Sequence, residues 1–192
     1  MSNRREFFRY AGALAVSLPV LPALAELEGI EVTRQQQVPG FENAAQEALQ
    51  KYGNCAQASF AMLQARYGLE GGEIVRALSP FPGMGLRGDT CGAVTGCMMA
   101  LGLMFGRGEG EENSKFLDVA AMARDFCGRF EGDLGSIKCG DIHEKHLGRR
   151  FDLADPAGRE EFGAAVGDLC TTVVATGVRI TAEIIEDRKA RV

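Results

Sequence analysis

The chain has 192 residues, with 21 Lys and Arg against 26 Asp and Glu, for a formal net charge of −5 at pH 7. Its length suits one domain after processing, and 46% hydrophobic content is enough to bury a core. The acidic balance argues against nucleic acid and anionic lipid surfaces, whose phosphates would repel it.

Residues 1–25 read as a leader. Arg4 and Arg5 precede Phe7 and Phe8, an apolar run follows from Ala11 to Leu21, and Ala23-Leu24-Ala25 has the small-x-small form of a cleavage site. The run is too short to span a bilayer, and the later apolar stretch Ala93 to Phe105 is brief enough to read as a core helix. No stable membrane insertion is expected once the leader is cleaved. The order Asn3-Arg4-Arg5-Glu6-Phe7-Phe8-Arg9 resembles a twin-arginine export signal. The alternative is an ordinary secretory signal that happens to carry two Arg. Twin-arginine signals carry folded cargo, often with a cofactor inserted. The resemblance therefore implies a periplasmic or exported protein whose metal centre is assembled before export. Removal of residues 1–25 would leave 18 basic and 25 acidic residues, a net of −7.

Residues 26–40, with Gln35-Gln36-Gln37 and Pro39-Gly40, read as a linker before a domain at 41–192. Glu42 to Tyr52 fits a helix ended by Gly53. Asn54 caps a second, Cys55 to Tyr67, with an apolar stripe at Ala58, Ala61, Met62 and Ala65, and Gly68 closes it. A short helix over Gly72 to Leu78 precedes the strongest break, Ser79 to Gly88. There Pro80, Pro82, Gly83, Gly85 and Gly88 call for unusual backbone angles. Asp89 or Thr90 then caps a helix from Cys91 to about Phe105. Gly106, Gly108 and Gly110 form a connector, and Asn113 or Ser114 caps a helix through Phe130. Ser136 caps a shorter one carrying Cys139, His143 and His146. Pro156 suits the first position of a last helix that would run to about Arg188 and contain Cys170, about 45 Å at the helical rise, with Gly163, Gly167 and Gly177 as places for a kink or for close packing. No repeat and no alternating pattern is present. The predicted fold is all-α: a compact helical bundle with a Gly/Pro-rich loop and a long C-terminal helix.

Six cysteines stand at 55, 91, 97, 127, 139 and 170. None forms a Cys-x-x-Cys pair, and there is no Cys-x-x-Cys-His motif for covalent haem. Their spacing matches neither a zinc finger nor a short ferredoxin run. Their predicted places are more informative. Cys55, Cys91 and Cys139 each fall in the first turn of a helix, where unpaired N–H groups and the helix dipole favour negative charge. A thiol there is expected to have a lowered pKa and to be more readily a thiolate, the form that binds metal or attacks a disulfide. Cys97, among Met98, Met99 and Leu101, and Cys127, beside Phe126, read as small buried hydrophobes. Cys170 reads locally as core.

Three stretches then carry a resemblance. Asn54-Cys55-Ala56-Gln57, Gly83-Met84-Gly85 and Thr90-Cys91-Gly92-Ala93-Val94-Thr95-Gly96 resemble the redox-active family named for its Cys-Gly-Ala-x-x-Gly motif, C_GCAxxG_C_C. The likeness continues through Gly135-Ser136-Ile137-Lys138-Cys139 to Asp168-Leu169-Cys170 and covers roughly residues 41–188. It implies four marker cysteines at Cys55, Cys91, Cys139 and Cys170, which promotes Cys170 from core to site. It also implies kinship with the non-haem part of split-Soret cytochromes, dimeric carriers of haem and iron–sulfur centres. The haem part does not carry over. Gly85 and Gly88 would let the backbone approach a cofactor. Gly92 and Gly96, four apart on a helix, would admit a cluster or a packed helix.

His143 and His146 are the only histidines, and with Cys139 they share one helix face. They read either as metal ligands or, with Glu144, Lys145, Arg149 and Arg150 around them, as a solvated face. The leading expectation is an iron–sulfur protein, [2Fe–2S] on Cys55, Cys91, Cys139 and Cys170 with Gly85 and Gly92 beside it, passing electrons to a redox partner protein. A thiol–disulfide protein cycling Cys55 with Cys91 or Cys139 with Cys170 is the alternative. A zinc or other metal-binding module without electron transfer is a third, and disulfides that merely staple the bundle are a fourth. No serine triad or phosphate-binding Gly-x4-Gly-Lys motif points to an enzyme, although reduction of a substrate at the cluster stays open. The long terminal helix offers a face for a homodimer.

Overall fold

Capping chemistry sets most of the helix boundaries in the computed structural model, which describes residues 39–191. The leader expected over 1–25 and residues 26–38 of the expected linker lie outside the described residues. Among the described residues there are nine helices and one isolated antiparallel bridge, Thr90 with Lys138. The helices are α1 (Pro39–Tyr52), α2 (Cys55–Tyr67), α3 (Gly72–Ala77), α4 (Gly83–Leu86), α5 (Gly92–Phe105), α6 (Asn113–Leu134), α7 (Cys139–Leu147), α8 (Pro156–Ala165) and α9 (Leu169–Lys189). The all-α expectation holds.

The Asn54 side chain accepts from the N–H groups of Ala56 and Gln57, and Gly68 closes α2 in the left-handed conformation. Asp155 caps α8 in the same way, with Pro156 at its first position. Five expectations change. Glu112, not Asn113 or Ser114, holds the cap position of α6, which runs past Phe130 to Leu134. Pro39 and Gly40 open α1 rather than ending a linker. Neither Asp89 nor Thr90 caps α5: Cys91 holds the cap position, and the Asp89 carboxylate accepts from the N–H of Thr90. Lys138, not Ser136, holds the cap position of α7, while the Ser136 hydroxyl accepts from the N–H of Lys138 and donates to Asp141.

The fifth change is the largest. The single helix expected from Pro156 to Arg188 is broken at Val166–Asp168, and α8 and α9 meet at a bend of 79°. Gly167 takes φ +46 at the break, a conformation that ends a right-handed helix. Cys170 therefore lies in the first turn of α9 rather than mid-helix.

The core forms where α9 packs against α1, α2, α5 and α6, and where α2 lies along α5. Phe60 and Leu63 of α2, Leu101 of α5, Phe126 and Phe130 of α6 and Val174, Val178 and Ile185 of α9 are fully buried or nearly so. Each such side chain contributes roughly 1.5–3 kcal/mol of transfer free energy. No single described helix is long and apolar enough to cross a membrane.

Candidate functional site

Two extended segments bring Cys91 and Cys139 side by side. Residues 88–91, before α5, run antiparallel to residues 137–140, which lead into the first turn of α7. The N–H of Cys91 donates to Ile137 O at 2.8 Å, that of Cys139 to Asp89 O at 2.8 Å, and that of Gly140 to Gly88 O at 2.9 Å. Glycine suits both places at this crossing: a Cβ on Gly140 would stand 3.1 Å from Gly88 O, and Gly88 holds φ +75.

Gly92 and Gly96 bring in Cys55. A Cβ on Gly92 would meet Cys55 Sγ at 2.6 Å and Ala56 N at 2.8 Å, and one on Gly96 would meet Ala56 O at 2.4 Å. With no side chain at either place, α5 lies directly on the first turns of α2. Of the two occupants expected at these glycines, a helix fills Gly96, while Gly92 faces both α2 and the Cys55 sulfur. Cys170 arrives from the other side, carried by the break before α9.

The four cysteines thus stand at the starts of four helices, and together they line one cavity of about 20 Å³. His143 lines it too, and Ile142, Leu169 and Val173 supply apolar walls. A wider groove of about 580 Å³ shares Cys55, Cys139, His143 and Cys170 with it. Cys91, only 4% exposed, lies on the closed side. Cys97 and Cys127 line neither space. Cys97 is fully buried in α5, and Cys127 packs half-buried on α6.

Gly85 lines neither space, although Pro82 and Leu86 on either side of it line the groove, and a Cβ added to Gly83 would stand 3.4 Å from Cys139 Cβ. Gly83, Met84, Gly85 and Leu86 carry φ of +49, +45, +73 and +69, so α4 is a single left-handed turn. It is closed by Leu86 N–H donating to Pro82 O at 2.8 Å and Arg87 N–H to Gly83 O at 3.0 Å. Left-handed backbone costs a residue with a Cβ about 1–2 kcal/mol, so Met84 and Leu86 hold strain beside the cysteines.

All six cysteines are free thiols. The expectation of lowered thiol pKa values is corrected at Cys55 and Cys91. Cys55 lies well above the ordinary range, first through its bond to Cys91 and then through burial, although the N–H groups of Gly92 and Ala93 pull it down. Cys91 lies above it too, chiefly through its bond to Cys139, with burial adding and the Cys55 bond opposing. Burial, and then the charge of Cys55, push Cys170 up to about 12. Neighbouring thiols that would repel as thiolates, in a buried place, outweigh the helix ends.

The solvated-face reading of the histidines holds for His146, which is exposed and bonds Leu134 O through Nε2 at 3.2 Å. His143 is 3% exposed. Its Nε2 stands 3.4 Å from Cys139 Sγ, and its Nδ1 has no partner. Phe162 of α8 packs on the ring at a centroid distance of 4.5 Å, and Phe151 meets it edge-on at 6.0 Å. Burial lowers its pKa. In the sequence the signal was the i, i+4 spacing from Cys139; the masking charges at Glu144, Lys145, Arg149 and Arg150 lie on the helix's outer side and in the following loop.

The donor set suits an iron–sulfur centre. Four thiols surround an apolar space, Gly92 leaves its own and Ala93's N–H free to face a sulfur, and an unpartnered buried imidazole nitrogen lies alongside. Among the described residues no three His, Cys, Asp or Glu side chains are close enough to hold one metal ion. A tetrahedral zinc site needs its donors within about 2.3 Å of a single point. A [2Fe–2S] cluster instead takes its four sulfurs as a pair on each iron.

Residues 53–184 match the family described as "Putative redox-active protein (C_GCAxxG_C_C)". No curated protein and no solved structure matches the chain. The matched span holds all four helix-start cysteines and every glycine that lets them meet, and the chain belongs to the C_GCAxxG_C_C redox-active family.

Proposed function

We propose that the protein binds an iron–sulfur cluster, [2Fe–2S], through Cys55, Cys91, Cys139 and Cys170 and serves in electron transfer. One observation carries this reading. Of six cysteines, the four at helix starts line one cavity and the two mid-helix ones do not. When bound, the cluster supplies one-electron chemistry at a potential set by burial and hydrogen bonds to sulfur. The chain's own residues do the rest. Cys55, Cys91 and Cys170, held protonated by neighbouring thiols and by burial, release their protons only when a cation offsets the charge. Ile142, Leu169 and Val173 keep water from the sulfurs, and the N–H groups of Gly92 and Ala93 face Cys55. The groove beside Cys55, Cys139 and Cys170 is the approach for a redox partner.

Export by the twin-arginine route belongs to the same proposal and rests on Arg4-Arg5 and the apolar run that follows. The homodimer expectation draws no support from α9, whose apolar face is buried within the chain.

Purification without air, with iron and acid-labile sulfide analysis and a UV–visible spectrum, tests the reading. About two irons and two sulfides per chain, with charge-transfer bands, are expected. Protein free of iron and sulfide, even after reconstitution, overturns it. The thiol–disulfide reading has its own support: the free thiol of Cys91 lies beside those of both Cys55 and Cys139. It favours Cys91 as a shared partner over a Cys139–Cys170 pair. Metal-free protein that gains titratable thiols on reduction would establish it.

A further inference from the structure

We propose that His143 donates a hydrogen bond from a protonated Nε2 to Cys139 Sγ, and that this bond makes the site's centre easier to reduce. The second half rests on the cluster reading; the first does not. The Cys-Gly-Ala-x-x-Gly motif does not include this histidine, yet it lines the same cavity as all four cysteines.

Three observations carry the bond. The first is geometry: Cys139 and His143 lie four apart at the start of α7, and Nε2 stands 3.4 Å from the sulfur. The second is constraint. Phe162 packs on the ring and Phe151 meets its edge, so the imidazole is held at this angle by α8 and the loop before it. The third is the tautomer. Nδ1 is buried without a partner. If Cys139 S–H donated to Nε2, the ring proton would sit on Nδ1 as an orphaned buried N–H, which is rarer than an under-satisfied acceptor. A proton on Nε2 leaves only a bare acceptor at Nδ1 and gives the N–H an acceptor in sulfur. A sulfur that ligates a cluster can only accept, which demands the same tautomer.

The consequence follows from charge. Reduction adds negative charge that is shared with the cysteine sulfurs, and an N–H aimed at one of them stabilises the reduced form more than the oxidised. His143 is therefore a positioning and tuning residue that acts through Cys139, not a ligand.

Two measurements decide it. In the reduced, metal-free full chain, long-range proton–nitrogen NMR should show the Nε2–H tautomer, with an Nε2 resonance that moves in Cys139→Ala. An Nδ1–H tautomer, or a resonance blind to Cys139→Ala, overturns the bond. In protein reconstituted with iron and sulfide, His143→Phe should keep its iron but shift the reduced-to-oxidised ratio at fixed potential about tenfold toward oxidised, about 59 mV for a one-electron couple. His143→Gln, which keeps an N–H near the Nε2 position, should restore the wild-type potential. Equal potentials in wild type and His143→Phe overturn the tuning, and loss of iron in His143→Phe makes His143 a ligand instead. Wild-type protein that takes up no iron or sulfide sinks the cluster reading and the tuning built on it, while the NMR result still decides the bond.

Discussion

Cys91 and Cys97 belong to the same helix, α5, yet their surroundings differ in kind. Cys91 holds the cap position, lies beside thiols from α2 and α7, and lines the shared cavity. Cys97, further along the helix, is sealed among apolar side chains, with its sulfur 3.2 Å from the place a Cβ on Gly177 would take. The residue type is the same and the burial is similar. What differs is whether the chain end of a second helix arrives at the same point. Helix starts converge because each is preceded by a turn that can be aimed, whereas a mid-helix residue sees only the flank of its neighbours.

The sharpest way to break this comparison is to remove one cysteine from each region. Cys91→Ala should lower iron bound after anaerobic reconstitution by tenfold or more, since one iron loses a ligand. Cys97→Ala should keep its iron and lose only about 1 kcal/mol of stability, read from the urea midpoint. Equal iron in the two variants would end the distinction.

The glycines that bring the helix ends together come next. Gly96→Ala places a Cβ 2.4 Å from the carbonyl oxygen of Ala56, a backbone atom that cannot swing away. Urea unfolding should show a loss of roughly 1–3 kcal/mol. Gly163→Ala on α8, where a Cβ meets nothing within 4 Å, is the control and should not be destabilised.

Alkali tests the sealed thiol of Cys97. Burial pushes Cys97 up to about 12, so the folded chain keeps this proton while the unfolded chain loses it above about pH 8.5. The unfolded state then binds fewer protons, and stability falls as pH rises from there toward 12, by at most about 1.4 kcal/mol per pH unit for this thiol. Thermal melts of metal-free protein from pH 8 to 10.5 should show a shallower decline in Cys97→Ala than in the wild type.

The smallest effect concerns the left-handed turn. Met84 is 41% exposed and holds φ +45. Met84→Gly should relieve about 1–2 kcal/mol of backbone strain against about 0.5–1 kcal/mol of added chain entropy. A net gain of at most about 1 kcal/mol is expected in the urea midpoint, and Met84→Val should lose stability. A loss in Met84→Gly would mean that the turn is not strained.

Much of the fold was legible from local signals. Asn54 and Gly68 bracket α2 where capping chemistry puts them, and Pro156 opens α8. The break before α9 was legible only as a kink that any of Gly163, Gly167 and Gly177 could make, because the helical pattern resumes after Gly167 with no proline to interrupt it, and a lone glycine inside a helix is tolerated. That one error also hid the place of Cys170, which only the family resemblance had marked. His143 was obscured for a similar reason. Charged neighbours at 144 and 145 describe the outer face of α7, while the aromatic partners that bury the ring, Phe151 and Phe162, come from farther along the chain.

What the sequence determined by itself was the helical class, the position of most helix starts, and the placing of three cysteines at them, since caps and breakers act within a turn of their own position. The meeting of those starts was decided only by tertiary structure. It depends on a two-segment crossing between residues 88–91 and 137–140, on α5 lying bare against α2 at Gly92 and Gly96, and on a bend that aims α9. None of these contacts has a local signature, because each is a distance between residues far apart in the chain. The same contacts reverse the local expectation for thiol acidity: a helix end alone favours the thiolate, but several thiols gathered in one apolar space hold their protons until a cation arrives.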